Sequence, residues 1–72
     1  MKVADTKAFG KLIRKRRKDL HYTQAYISEN SGLSVSFLSD LENGKPTIEL
    51  GKALLVAQLL GLDLMLERRG KV

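Results

Sequence analysis

The sequence predicts a mainly α fold of four to five helices that ends in a single β-strand. Three observations lead there. Apolar residues recur at helical spacing over most of the chain. Glycines and small polar residues punctuate those stretches where helices stop and start. Only residues 62–67 alternate instead, with Leu62, Leu64 and Leu66 set against Asp63, Met65 and Glu67, the period of a half-buried strand. The 72 residues make one small domain, near the lower end of what folds alone. A core of that size supplies roughly 3–5 kcal/mol, so self-association is expected.

Asp5 or Thr6 suits the cap of a first helix running to about Leu20, with Phe9, Leu12, Ile13 and Leu20 on one side. The basic run from Arg14 to Lys18 wraps around this helix, so its five cations cannot all face one ligand. Thr23 opens a short second helix with Ala25 and Ile27 as inward candidates. The stretch "NSGLS" breaks it, because Gly32 suits a left-handed turn and Ser34 is a good cap for a third helix. That third helix, about 35–43, places Phe37, Leu38 and Leu41 inward and Val35, Ser36, Ser39 and Asp40 outward. After "NGKP", Thr47 is the expected cap of a fourth helix that Gly61 stops. The fourth helix is apolar almost all round (Leu50, Ala53, Leu54, Leu55, Val56, Ala57, Leu59, Leu60), which predicts burial on two sides.

A lone strand cannot satisfy its own backbone. Two copies of residues 62–67 can pair antiparallel across a twofold axis and remove each other's open edge, with Leu62, Leu64, Met65 and Leu66 as the dimerisation residues. The alternative is a frayed tail that leaves three alternating leucines in water.

Charge is unevenly placed. The net charge is +5, but residues 1–22 alone carry a surplus of six positive charges and residues 23–44 a deficit of three. The basic surface therefore belongs to the first helix and to the tail with Arg68, Arg69 and Lys71. Such a surface suits a polyanionic partner: nucleic acid, an acidic protein or an anionic membrane surface. There is no cysteine, hence no disulfide or thiolate metal site. The longest apolar stretch, "ALLVAQLLGL", is far short of a membrane span, and the amino terminus lacks a signal peptide's apolar core. A cytoplasmic chain with no membrane contact is expected. His21, the one histidine, has no second metal ligand nearby and reads as a helix-end residue under local strain. The serines have no base beside them and no Gly-rich phosphate loop occurs, so neither an enzyme nor a cofactor is expected.

Two short helices joined by a glycine turn, the second with an apolar inner and a small polar outer side, make a helix–turn–helix. The stretch "YTQAYISENSGLSVSFLSDLENGKP" resembles the signature of the Cro/phage-repressor (XRE-type) family. Thr23-Gln24, Ile27, Gly32-Leu33-Ser34, Leu38, Leu41 and Glu42-Asn43-Gly44-Lys45 are the matching pieces. The resemblance implies a lambda-repressor-like DNA-binding domain over residues 1–61, with the motif at about 23–43. It leaves residues 62–72 as dimerisation strand and basic tail.

It also implies that the third helix enters the major groove and meets base edges with Ser34, Val35, Ser36, Ser39 and Asp40. Serine hydroxyls serve several bases, Val35 suits a thymine methyl and Asp40 accepts from cytosine N4. No Arg, Lys, Gln or Asn stands in the first two turns, where family members often carry one, so part of the discrimination falls to DNA shape. Phosphate contacts are expected from Gln24 with the amino terminus of the second helix, from Asn43 and Lys45, and from Tyr22, Thr23 and Arg17. By the same resemblance Arg17 and Glu42 form an ion pair that sets the angle of the recognition helix.

The segment "PTIELGKALLVAQLLGLDLMLERR" is similar to that of the HipB group of antitoxins. This implies dimerisation through carboxy-terminal strands, palindromic operator DNA, autorepression, and association with a HipA-type serine/threonine kinase toxin. Nothing in the chain marks a toxin-binding site, so such a contact would have to use exposed surface of the folded dimer, for example at Glu49, Lys52 and neighbouring loops. A stand-alone phage or host repressor and a pure protein-interaction module are the rival readings. RNA binding lacks a stacking platform beyond Tyr22 and Tyr26.

Overall fold

A computed structural model describes residues 2–70. It holds four helices: α1 Thr6–Asp19, α2 Gln24–Ser31, α3 Val35–Glu42 and α4 Leu50–Leu59. Each of the first three starts at a side chain that accepts an orphan backbone N–H. Asp5 accepts from Ala8, Thr23 from Tyr26 and Ser34 from Phe37. Asp5 rather than Thr6 is therefore the first cap. Thr6 instead donates its hydroxyl to the Gly44 carbonyl at 2.9 Å, tying the start of α1 to the loop after α3.

α1, α3 and α4 end with the same closure, a pair of backbone bonds folded back over a left-handed residue. After α1 these are His21 N–H to Lys18 C=O and Tyr22 N–H to Arg17 C=O, at 2.9 and 3.0 Å. Gly44 and Gly61 hold the left-handed position after α3 and α4, but after α1 it is His21, with φ 61°. His21 is the one non-glycine residue with positive φ among the described residues, the strain its helix-end position suggested.

The core is built by Ile13 of α1, Ile27 of α2, Leu38 and Leu41 of α3, and Ala53, Val56, Ala57 and Leu60 from α4 and its end. Phe9, Leu20, Leu33, Phe37, Ile48 and Leu62 pack around it half-buried. Ala25, expected inward, is exposed, so Ile27 is the one buried side chain of α2.

Three expectations need correction. Among the described residues there is no fifth helix. Thr47 does not cap α4: residues 46 and 47 form a turn, closed by Ile48 N–H donating to Lys45 C=O at 3.2 Å. Ile48 packs on the core, and α4 begins two residues later at Leu50, behind Glu49, which makes no side-chain cap bond. Finally, no strand forms among the described residues of the single chain. Leu62 donates its N–H to Ala57 C=O at 2.9 Å and packs on the core, but residues 63–69 carry no ladder. Leu64, Met65 and Leu66 are 45%, 75% and 92% exposed. A strand needs a neighbour, and the described residues of one chain offer none. Lys71, counted in the basic tail, lies outside the described residues.

Candidate nucleic-acid interface

α2 and α3 lie on either side of the Gly32 turn, and the apolar sides of both face the core. This leaves Ser34, Val35 and Ser36 exposed on the first turn of α3. Val35 is 44% exposed and is flanked by two hydroxyls, an apolar spot between adaptable hydrogen-bonding groups. Ser34 already accepts from Phe37 N–H at 3.0 Å, so its hydroxyl proton remains to be donated outward. The second turn is different. Ser39 Oγ accepts from Asn43 Nδ2 at 3.4 Å, and Asp40 sits 3.5 Å from Lys45 Nζ. The expected base-reading residues thus divide into three with free outward surface and two held by their own helix end.

Behind α3 lies Glu42, the one buried charged side chain among the described residues. Arg17 donates to it twice, Nε to Oε2 at 2.7 Å and Nη2 to Oε1 at 2.9 Å. The same guanidinium donates through Nη1 to the Tyr22 carbonyl at 2.8 Å. The hydrogen bonding to Glu42 raises the Arg17 pKa against the opposing effect of burial, and the charge of Glu42 adds to the rise. The expected ion pair therefore forms, in the bidentate geometry that fixes orientation as well as distance. Only 12% of the Arg17 side chain is exposed. It serves as an internal strut, with little surface to offer a phosphate.

Gln24 joins the same carboxylate, with Nε2 donating to Glu42 Oε1 at 3.2 Å. One amide proton is thus engaged inside the fold, and the side chain keeps its second proton and its carbonyl oxygen. No buried side-chain polar atom among the described residues lacks a partner. Tyr22 and Tyr26 stack with ring centroids 4.6 Å apart beside the start of α2, Tyr26 being the exposed member. Asn43 and Lys45 are exposed on the loop after α3.

The structure also separates the cations of α1 by what they do. Arg16 donates from Nε to the Leu60 carbonyl at 2.8 Å, capping the end of α4, and Lys15 pairs with Asp19 at 3.2 Å. Lys7, Lys11 and Arg14 instead line an open groove shared with Gln24, Ser39, Asn43 and the buried Glu42. Sequence reading centred the charge on positions 14–18 and passed over Lys7 and Lys11. Their spacing to Arg14, four residues and then three, was the available signal.

Among the described residues no helix is long and apolar enough to cross a membrane. Residues 13–65 match the family model described as "Helix-turn-helix". The chain is 40% identical over 55 residues to an uncharacterised HTH-type transcriptional regulator of Sinorhizobium fredii, covering 76% of this chain and 72% of the relative. It is 37% identical over 60 residues to the ImmF control region 10 kDa protein of Bacillus phage phi105, covering 83% and 67%. An uncharacterised HTH-type transcriptional regulator of Haemophilus influenzae is 35% identical over 63 residues, covering 88% and 62%.

Proposed function

The chain belongs to the helix–turn–helix family (XRE-type), whose members are DNA-binding transcriptional regulators and not enzymes; on that premise we propose a dimeric, cytoplasmic repressor that reads a palindromic operator. The observation that carries this reading is the buried Arg17–Glu42–Gln24 network. It fixes α3 from behind while Ser34, Val35 and Ser36 remain exposed in front. In the complex α3 lies in the major groove. Val35 meets a thymine methyl, Ser34, Ser36 and Ser39 bond base edges, and Asp40 reaches cytosine N4 once it leaves Lys45. Asn43, Lys45, Thr23, Tyr22, the remaining amide proton of Gln24 and the amino terminus of α2 hold phosphates, with Arg17 behind them.

The second copy docks where one chain leaves apolar surface open. Leu55 and Leu59 on α4 are 39% and 42% exposed and lead into the open leucines of the tail. Two tails paired antiparallel supply the missing ladder and hold two recognition helices about 34 Å apart, one turn of DNA. Occupancy of a promoter by this dimer represses by exclusion.

The likeness of the last third of the chain to the HipB group supports autoregulation of a toxin–antitoxin operon, with a HipA-type kinase as protein partner meeting the surface around Glu49 and Lys52. The likeness to a phage control-region protein supports the second reading, a stand-alone repressor. Footprinting of the gene's own upstream DNA tests the repressor: two protected half-sites one turn apart are expected, and no site-specific, salt-sensitive protection would overturn it. An adjoining kinase-like gene whose product co-purifies with the chain selects the antitoxin reading, and its absence selects the other.

A further inference from the structure

We propose that Lys7, Lys11 and Arg14 form a phosphate track along α1 that carries the DNA backbone beyond the helix–turn–helix itself. The proposal rests on the repressor reading above and extends it to the DNA flanking each half-site.

The three cations share one face of α1, since residues three and four apart are neighbours on a helix. From Lys7 to Arg14 the row is about 10 Å long at about 1.5 Å per residue, long enough to meet more than one phosphate of a strand whose charges advance about 3.4 Å per step along the duplex axis. Their charge is available. Among the described residues neither Lys7 nor Lys11 has an acidic partner, and Arg14 approaches Glu42 only to 4.0 Å, with 58% of its side chain exposed. Glu42 itself is already matched by the two bonds from Arg17, so the groove has a positive rim and no exposed acid on its floor.

Apart from the neutralised Glu42, the rest of the lining suits an anion too. Gln24, Ser39 and Asn43 are neutral hydrogen-bonding groups at the start of α2 and the end of α3, the two places from which the strand would be gripped beside the bases. The track is also rigidly placed. A Cβ on Gly44 would stand 2.6 Å from the Lys7 Cα, so the loop carrying Asn43 and Lys45 lies directly on the first turn of α1. A DNA strand held by that loop continues onto Lys7 and Lys11 without a change in the protein.

The test compares the full chain with K7Q/K11Q and with K15Q/K52Q. The second pair removes the same charge from lysines that have acidic partners, Asp19 and Glu49, outside the groove. Binding to the footprinted upstream duplex is measured from about 50 to 200 mM salt. K7Q/K11Q is expected to lower the slope of log affinity against log salt by about 1.8 per protomer, at about 0.9 per phosphate contact, with the ratio of operator to unrelated DNA unchanged. K15Q/K52Q is expected to shift the slope by less than half as much. Equal slopes for the two variants, with wild-type binding intact, would overturn the track while leaving the repressor standing. A wild-type chain that binds no DNA removes both.

Discussion

Gly10 of α1 lies so close to the last turn of α3 that a Cβ there would stand 2.4 Å from the Leu41 carbonyl oxygen. Two helix backbones touch at this point with no side chain between them. The contact brings Arg17, two turns further along α1, within bonding distance of Glu42. Gly10→Ala pits a helix-propensity gain of about 1 kcal/mol against overpacking of about 1–3 kcal/mol. The obstacle is backbone, which cannot step aside, so packing wins. The variant is expected to melt at least about 5 °C lower by circular dichroism, at about 4–8 °C per kcal/mol for a domain this small. An unchanged melting temperature would contradict the close approach.

Glu42→Ala removes the acceptor of two Arg17 bonds and one Gln24 bond and strands a guanidinium that is only 12% exposed. Breaking a buried pair by deleting one partner costs about 3 kcal/mol or more. Thermal melting should fall by more than about 10 °C, and DNA affinity should drop with it because α3 loses its brace. If both stay at wild type, the network does not orient the helix. The pair itself adds no pH dependence near neutrality from its basic side. A raised Arg17 pKa means its stabilisation is complete below the ordinary guanidinium range and is lost only as pH climbs through the folded value.

Asp40 and Lys45 hold each other 3.5 Å apart on the outer side of α3, where a DNA backbone would feel both. Asp40→Ala frees Lys45 and removes a negative charge from the approach path. Affinity for unrelated DNA should rise about three- to tenfold at about 100 mM salt, and stability should change by less than about 1 kcal/mol, as for exposed pairs. Mobility shifts with operator and scrambled duplexes measure this. A fall in unrelated-DNA affinity would show that Asp40 helps binding generally.

His21 occupies a left-handed conformation that costs a side-chain-bearing residue about 1–2 kcal/mol. His21→Gly removes that cost and returns part of it as unfolded-chain entropy. A net gain of about 1 kcal/mol, read as a melting temperature roughly 4–8 °C higher, is expected. No gain would mean that the imidazole makes a compensating contact.

Leu64 and Leu66 contribute nothing to the core of one chain, so L64D/L66D should leave the fold of the monomer intact. Sedimentation at micromolar concentration is expected to show dimers for the wild type and monomers for the variant, with loss of tight binding to a symmetric duplex. Dimers in both would locate the interface elsewhere.

The helices were legible because their signals are local. Asp5, Thr23 and Ser34 each cap as their side-chain chemistry dictates, and Ile13, Ile27, Leu38 and Leu41 fall inward at helical spacing. Thr47 misled because a good cap residue competes with Ile48, whose pull into the core is a tertiary effect invisible in a short window. Residues 62–67 carry a related ambiguity: alternation records which faces want burial but not which molecule supplies the cover. At the site, the Arg17–Glu42 pair came only through family resemblance, since the two lie 25 positions apart. Gln24 was seen as a phosphate donor, but its bond to Glu42 needed three dimensions. Lys7 and Lys11 do not stand out in one dimension beside the dense basic run at 14–18; only the helix brings them onto one face with Arg14.

Ser34 caps α3, but Val35 and Ser36 are both exposed, and among the described residues no hydrogen bond depends on their side chains. New residues can therefore be installed at these two positions without touching the scaffold that aims them. On the proposed reading of bases by α3, a lineage built on this frame shifts from one promoter to another by exchanging a pair of codons, at little expense in thermal resistance.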